Sequence, residues 1–347
     1  MKKVAILSID GGGIRGILPA TILVYLEKLL QQKSGRADLK IGDAFDLIAG
    51  TSTGGILACL YLMPGEEGHP KYSAEDALDL YLQNGQRIFS RTLLRGIETV
   101  DGIIDEKYSW RNLYEVLGQY FGDLDLAQFI KPCLITSYDI AGRRAIFFTS
   151  YDAAQYAGSN FLIKDVARAT SAAPTYFEPA YIQSKDLRYW ALIDGGVVAN
   201  NPALCAYAEA LKIDFARALP GSGKKRPLGA KDMFLLSLGT GSVKKSYHFD
   251  QFRRAGAIKW LEPMIDILMS GNSETVHYEL KQLYGTLSAA DQTDYYRIEP
   301  PLLEAHTELD DASEENVARL RDAGLAFVED NRERLDVVAD TILRYCR

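Results

Sequence analysis

The segment KVAILSIDGGGIRG, residues 3–16, decides the fold of the chain. Its first half is a continuous apolar run, as in a strand that is buried on both faces of a sheet. The run stops at Asp10, and three consecutive glycines follow. From Leu18 the sequence LPATILVYLEKLLQQ repeats apolar residues at helical spacing. The sequence therefore predicts a buried strand, a glycine loop and a long helix, in that order.

Strand-like and helical patterns alternate along the rest of the chain. Apolar runs predict further strands at FDLIAG (45–50), CLITSYDI (133–140), AIFFTS (145–150), RYWALID (188–194) and MFLLSLG (233–239). CLITSYDI and AIFFTS are expected to pair as a hairpin, and GGILACLYLM after FDLIAG predicts a helix. This alternation favours an α/β fold with a mostly parallel sheet covered by helices on both faces. Because no repeat or long linker interrupts it, residues 1–347 are expected to form a single domain.

Composition excludes several classes of protein. With 47% hydrophobic and 24% charged residues in 347, the chain is too apolar for disorder. It contains no apolar run long enough to span a bilayer, and the N-terminal run ends at Asp10 without a signal-peptide cleavage site. The four cysteines are widely spaced and form no CxxC motif, which argues against structural zinc and redox pairs. A soluble protein of the reducing cytoplasm is expected.

Charge is distributed unevenly around a net value of -7. Residues 217–259 hold ten basic residues and two acidic ones. We interpret this segment as a solvated surface, with an anionic membrane surface or phosphate as the alternative partner. Within 257–269, apolar residues fall on one helical face, and we interpret this stripe as ordinary core, with peripheral membrane contact as the alternative; its members are Trp260, Leu261, Met264, Ile265 and Leu268.

The glycine loop after the first strand satisfies the dinucleotide pattern GxGxxG through Gly11, Gly13 and Gly16. A dinucleotide-binding enzyme is therefore one alternative. Asp10 argues against it, because a carboxylate beside the glycines repels a pyrophosphate. Consecutive glycine N–H groups at a helix N-terminus also form a nest for developing negative charge, such as a tetrahedral oxyanion.

Two further loops carry candidate catalytic side chains. Gly50-Thr51-Ser52-Thr53-Gly54 is a GxSxG between a predicted strand and helix, the context of a nucleophile elbow, although Ser52 in such a turn can also merely cap the helix. Asp194 precedes two glycines at another strand end, where it is placed to accept a proton, or merely to form an Asp-Gly turn. The histidines at 69, 248, 277 and 306 lie in no such loop, but His306 follows Asp194 in the order of an α/β-hydrolase triad.

The motifs DGGGIRG, GTSTGG and DGG, in this order, resemble the signature of the patatin-like phospholipases. ARATSAAPTYF (167–177), LSLGTG (236–241), PMIDILMSGNSETVHYEL (263–280) and YYRIE (295–299) also look like segments of that family, so the resemblance covers nearly the whole chain. It implies a three-layer α/β/α sandwich related to the α/β-hydrolases. It also implies specific roles for site residues: a nucleophile, Ser52; a base, Asp194; an elbow, Gly50 and Gly54; and an oxyanion hole at Gly11, Gly12 and Gly13, with Arg15 nearby.

The activity implied by the resemblance is lipid acyl hydrolysis. Fatty-acyl esters are expected to be cleaved through a Ser-Asp dyad and an acyl-enzyme intermediate, without a metal or cofactor, which makes the protein a carboxylic ester hydrolase. The expected partners are a phospholipid or another fatty-acyl ester and, peripherally, a membrane surface, but no nucleic acid. The main alternative is a non-catalytic storage or interaction protein with the same fold.

Overall fold

The computed structural model describes residues 2–90, 107–241, 247–254 and 256–346. The described residues form one eight-stranded sheet in the order β5-β6-β3-β2-β1-β7-β8, with β4 also paired to β3. The strands are β1 Val4–Ile9, β2 Leu47–Gly50, β3 Cys133–Asp139, β4 Arg144–Thr149, β5 Ala180–Gln183, β6 Tyr189–Asp194, β7 Met233–Leu238 and β8 Tyr295–Ile298.

Helices cover the sheet on both faces. In chain order they are α1 Ile17–Ser34, α2 Ile41–Ala44, α3 Thr53–Leu62, α4 Ala74–Ile88, α5 Trp110–Phe121, α6 Ser150–Ala153, α7 Ile163–Thr170, α8 Gly196–Ala199, α9 Ala203–Lys212, α10 Phe215–Ala218, α11 Phe249–Phe252, α12 Ala257–Gly285, α13 Glu314–Asp330 and α14 Arg332–Cys346. Helix α1 packs against α4, α13 and α14. Helices α9 and α12 contact each other and the opposite face of the sheet. None of the described helices is long and apolar enough to span a bilayer.

The sheet is mostly parallel, as predicted. Strands β1, β2, β3, β7 and β8 run in parallel, while β4 and β6 both pair antiparallel to β3. The β3–β4 pairing confirms the hairpin expected from CLITSYDI and AIFFTS. The short strand β5, which pairs antiparallel to β6, was not predicted.

Alternate residues of the central strands enter two separate cores. Ala5, Leu7 and Ile9 of β1 pack on one side of the sheet with α1 and α3, while Val4 and Ile6 pack on the other side with α9. Every β1 residue is buried. The continuous apolar run in the sequence therefore reflects burial on both faces, and the predicted sandwich of helix, sheet and helix is confirmed.

The chain changes direction across the sheet at β1. Strand β2 lies on one side of β1 and β7 on the other, so the loop after β1 leaves the sheet at a topological switch point. In open α/β sheets a crevice forms outside the carboxyl ends of the strands at this point. The glycine loop that begins at Gly11 thus lies where the fold itself opens a binding site.

Part of the basic segment 217–259 is not a solvated surface. Lys224 is buried and forms an ion pair with Asp46, which also accepts a hydrogen bond of 2.6 Å from the Ala5 N–H. Arg226 donates to two backbone carbonyls, whereas Lys225 is exposed. Lys244 and Lys245 of the same segment lie outside the described residues.

The apolar stripe at the start of α12 is also not ordinary core. Met264 and Leu268 are 51% and 46% exposed, and Trp260 and Ile265 are half-buried. The side chain of Leu261 lies outside the described residues. The interpretation as core is therefore wrong for two members of the stripe, because α12 covers the sheet with its second half and leaves its first half beside the crevice.

Replacing Lys224 by methionine is expected to lower the free energy of unfolding by about 3–5 kcal/mol, because the Asp46 carboxylate then stays buried without its counter-charge. Urea unfolding of the purified variant measures this change. Lys225→Met removes the same charge from the exposed neighbour and is expected to cost less than about 0.5 kcal/mol. Equal stability of the two variants would show that the buried pair contributes nothing.

Candidate active site

Ser52 occupies a strained turn between β2 and α3. Its backbone has φ 53° and ψ -122°, a region that non-glycine residues rarely adopt. A Cβ atom at Gly50 would lie 2.1 Å from the Gly54 carbonyl oxygen, and one at Gly54 would lie 2.2 Å from the Ile9 carbonyl oxygen. Only glycine at both positions lets helix and strands come this close. The sharp turn therefore presents the Ser52 side chain at the crevice, as in a nucleophile elbow.

The strand register brings Asp194 next to Ser52. Gly50 of β2 lies opposite Ile135 of β3, and two residues further along β3, Ser137 pairs with Asp194 of β6. Ser52, two residues beyond Gly50, therefore lies beside the end of β6. Asp194 reaches the site from an antiparallel strand, which the sequence did not indicate.

The Asp194 carboxyl group is buried and interacts directly with the serine. It accepts a hydrogen bond from the Ser52 side chain and another of 2.7 Å from the Gly196 N–H. Burial raises the pKa of Asp194 to about 7, although both hydrogen bonds oppose this shift. A carboxyl group with such a pKa is matched to proton transfer near neutral pH.

The glycine loop lies next to Ser52 and contains amides without a hydrogen-bond partner among the described residues. Among the described residues, neither the Gly12 N–H nor the Gly13 N–H has a hydrogen-bond partner. Gly13 has φ 57°, and a Cβ atom there would lie 2.0 Å from the Leu309 carbonyl oxygen, so the loop conformation requires glycine. The Gly11 N–H differs, because it donates to the Asn200 carbonyl at 3.1 Å. Gly11 is therefore not a free donor, although it was predicted as part of the oxyanion hole.

Asp10 and Arg15, on either side of the glycines, have different environments. Arg297 of β8 binds Asp10 through two hydrogen bonds of 2.9 and 2.7 Å; Asp10 is buried, and the Arg297 side chain is 9% exposed. Arg15 is 6% exposed, its Nε lies 3.5 Å from the Gly12 carbonyl oxygen, and its Nη1 has no partner among the described residues. Sequence reasoning missed the Arg297 pairing, since nothing in YYRIE marks its arginine as a partner of Asp10.

Ser52, Gly13 and Asp194 open into an apolar cavity. Aliphatic and aromatic side chains form most of its wall, including Ile56, Ile88, Phe89, Leu113, Tyr176, Phe177, Val197, Ile265, Leu268 and Met269. Such a wall disfavours water and favours apolar groups. The low polarity also explains why Asp194 holds its proton so strongly.

The four histidines lie elsewhere in the structure. His306 contacts Asp311 and Arg319, His69 contacts Asp43, and His277 contacts Tyr295. None of them, nor His248, is part of the cavity wall around Ser52. The described residues contain no cluster of three His, Cys, Asp or Glu side chains that could hold a metal ion.

The chain matches a known protein family. A family model described as patatin-like phospholipase matches residues 7–207, which is more than half of the chain. The protein belongs to the patatin-like phospholipase family.

Relatives extend the match over almost the whole chain. Patatin-like protein 1 of Arabidopsis thaliana is 33% identical over 336 residues, covering 92% of this chain and 80% of that protein. Probable inactive patatin-3-Kuras 1 of Solanum tuberosum is 32% identical over 349 residues, covering 97% of this chain and 90% of that protein. The crystal structure of VipD from Legionella pneumophila superposes with a TM-score of 0.45 and 13% identity, covering 98% of this chain and 67% of that one.

The raised pKa of Asp194 makes stability depend on pH. The folded state binds the Asp194 proton more tightly than the unfolded state, so stability falls as pH rises from about 4 to about 7 and stays lower above. Asp194→Asn removes the buried charge and is expected to raise the free energy of unfolding by a few kcal/mol at about pH 8, and by much less at about pH 4. Urea titrations at both pH values measure the difference, and a pH-independent effect contradicts the assignment.

Proposed function

We propose that the protein is a lipid acyl hydrolase that cleaves fatty-acyl esters with Ser52 as nucleophile and Asp194 as base. One observation carries this proposal: a buried carboxyl group with a pKa near 7 is hydrogen-bonded to a serine in a strained elbow. The apolar wall around both residues supports an apolar acyl group as the substrate part next to the nucleophile. Membership of the patatin-like phospholipase family supports the same class of reaction.

The first half of the proposed reaction forms an acyl-enzyme. Asp194 takes the proton of the Ser52 hydroxyl as its Oγ bonds to the ester carbonyl carbon. The oxyanion then accepts hydrogen bonds from the Gly12 and Gly13 amides, which have no other partner among the described residues. When the tetrahedral intermediate collapses, the C–O bond to the alcohol breaks and Asp194 returns the proton to the leaving oxygen.

The second half regenerates the enzyme with water. Asp194 removes a proton from a water molecule as its oxygen attacks the acyl carbon, and the same amides bind the second oxyanion. The Ser52–acyl bond breaks, the proton returns to Ser52 and the fatty acid is released. Because Asp194 contacts Ser52 directly, the mechanism needs no histidine between them.

A non-catalytic protein with the same fold is the rival proposal. One relative carries the name probable inactive patatin-3-Kuras 1. In this chain the serine, its buried carboxylate partner and the free amides are all present. Keeping a charge buried and a serine strained costs stability, and catalysis accounts for that cost.

The start of α12 supports peripheral contact with a lipid surface. Leu268 and Met269 of this helix line the apolar cavity around Ser52. The neighbouring Met264 and Ile267 are 51% and 45% exposed. Exposed apolar side chains at the edge of a lipid-binding cavity suit insertion into the headgroup region. The contact is thus proposed for the face of α12 that borders the cavity, rather than for the basic segment as a whole.

Loss of the nucleophile tests the proposal. Ser52→Ala is expected to lower kcat on a short p-nitrophenyl ester by about 10³-fold or more while the protein stays folded. In the wild type, a fluorophosphonate adduct is expected on the tryptic peptide 41–71, which contains Ser52. The kcat/KM of the wild type is expected to fall below about pH 7, because protonated Asp194 cannot act as a base.

His306→Ala serves as the control for this experiment, since His306 follows Asp194 in the chain but lies away from the cavity. It is expected to keep wild-type turnover. Full activity of Ser52→Ala, or an adduct on another peptide, would reject Ser52 as the nucleophile. Loss of turnover in a folded His306→Ala protein would require a triad.

Acidic substitutions on the exposed face of α12 test the proposed membrane contact. The double variant Met264→Glu, Ile267→Glu is expected to bind vesicles containing phosphatidylglycerol about tenfold or more weakly, because two apolar side chains no longer enter the headgroup region. Vesicle sedimentation measures the binding. Turnover of the short soluble ester is expected to stay unchanged, since neither side chain lines the cavity.

A matched control places the same charges on the opposite layer of the protein. Leu325 on α13 and Val337 on α14 are 49% and 53% exposed, similar to the two α12 residues. Leu325→Glu, Val337→Glu is expected to bind vesicles like the wild type. Equal losses in both double variants would show that net charge, and not the α12 face, governs the binding.

A further inference from the structure

The segment LSLGTG, residues 236–241, has no role in the chemistry proposed for Ser52 and Asp194. Its first three residues end β7, and the last three form the loop that follows. In this loop Thr240 is 4% exposed, and its hydroxyl donates a hydrogen bond of 2.8 Å to the Gly11 carbonyl oxygen. The loop after β7 therefore contacts the glycine loop after β1, its parallel neighbour in the sheet.

Hydrogen bonds to β8 and the residue after it fix the loop on both sides of Thr240. The Gly239 N–H donates to the Ile298 carbonyl at 2.8 Å, and the Gly241 N–H donates to the Glu299 carboxylate at 2.9 Å. A Cβ atom at Gly239 would lie 2.0 Å from that carboxylate, so the loop packs this closely only with glycine. The position of the Thr240 hydroxyl is therefore set by the sheet.

The Thr240 hydrogen bond orients one peptide group of the glycine loop. Because a peptide group is planar and trans, the Gly11 C=O and the Gly12 N–H point in opposite directions. With the carbonyl bound to Thr240, the Gly12 N–H points away from Thr240, and it has no partner among the described residues. The Asn200 side-chain amide also donates to this carbonyl, but at 3.4 Å. Thr240 thus supplies the shorter of two bonds that set the direction of the Gly12 amide.

The two ends of this peptide group lie near different parts of the site. Thr240 lines a second, polar cavity, whereas Ser52 lines the apolar one. A Cβ atom at Gly12 would lie 2.1 Å from the Thr240 hydroxyl oxygen, and one at Gly11 would lie 3.3 Å from the Ser52 Cβ. The peptide therefore lies between the threonine and the serine.

The neighbouring Gly13 amide is held differently. The carbonyl of its own peptide group, that of Gly12, accepts a hydrogen bond of 3.2 Å from the Arg15 N–H within a local turn. The direction of the Gly13 N–H is thus set within the glycine loop. The direction of the Gly12 N–H depends on a side chain more than two hundred residues away in the sequence.

We infer that Thr240 is a positioning residue of the oxyanion hole: its hydroxyl holds the Gly11–Gly12 peptide so that the Gly12 N–H is directed at the oxyanion formed on Ser52. This inference rests on the proposed acyl hydrolase function and adds a residue that acts through the peptide and not on the substrate. Donors that are oriented in advance stabilise an oxyanion strongly, because they need not reorganise during the reaction. Without the hydroxyl, the carbonyl keeps only the longer bond from Asn200, and the peptide can turn.

Two esters that differ only in the carbonyl atom test the inference. In p-nitrophenyl butyrate the reacting group is C=O, and in its thiono analogue it is C=S. Sulfur is a weak hydrogen-bond acceptor, so the wild type is expected to show a much higher kcat/KM for the oxygen ester. Thr240→Val keeps the shape and removes the hydroxyl. It is expected to lower kcat/KM about tenfold to a hundredfold for the oxygen ester and much less for the thionoester, so that the preference falls about tenfold.

Three further variants separate the hydroxyl from the rest of the side chain. Thr240→Ser keeps the hydroxyl and is expected to keep the wild-type preference. Thr240→Ala differs from it only by that hydroxyl and is expected to lose the preference, so this pair decides the question if Thr240→Val does not fold. Thr341→Val is the matched control, because Thr341 is 6% exposed and its hydroxyl donates to the Val337 carbonyl within α14. It is expected to leave the preference unchanged.

The outcomes distinguish this inference from the proposed function. If folded Thr240→Val or Thr240→Ala slows both esters equally, Thr240 only supports the fold and the inference is wrong. Loss of the preference in Thr240→Ser as well would show that the hydroxyl is not the group that matters, which also overturns it. In both cases the wild type still hydrolyses esters and the proposed function stands. A wild type that hydrolyses neither ester would instead reject the proposed function, and the inference with it.

Discussion

The fixed register between β1, β2 and β3 is the constraint on which the site depends. Gly50 is paired with Ile9 on one side and with Ile135 on the other, so the turns after β1 and β2 leave the sheet side by side. The glycines at 50 and 54 then allow α3 to approach β1 so closely that no side chain fits between them. A slip of one residue in either pairing would turn the serine away from the crevice.

Electrostatics at the site follow from this packing. The same helices that form the two cores also exclude water from Asp194, which raises its pKa although two hydrogen bonds favour the ionised form. On the far side of the glycine loop, Asp10 is equally buried but has Arg297 as a counter-ion. Two carboxylates near one loop therefore take different roles: Asp10 fixes β1 to β8, and Asp194 remains able to exchange a proton.

The sequence predicted the central elements well because their signals are local. Hydrophobic periodicity and turn residues were enough to predict the strand from Val4, the helix after it, the GxSxG turn and the β3–β4 hairpin. Short strands such as β5 carry too few residues for a period to appear. Burial of Lys224 and exposure of Met264 depend on neighbours distant in sequence, so residue type alone gave the wrong environment for both. The roles of Ser52 and Asp194 remain predictions, supported by their contact.

The central position of β1 affects how the chain folds during synthesis. Strand β1 is made first, but its second neighbour, β7, comprises residues 233–238, and the outer strand β8 follows later still. Until β7 leaves the ribosome, one edge of this apolar strand has no partner, and such an edge can pair with other chains. The nascent sheet must therefore remain protected until β7 and then β8 have been made.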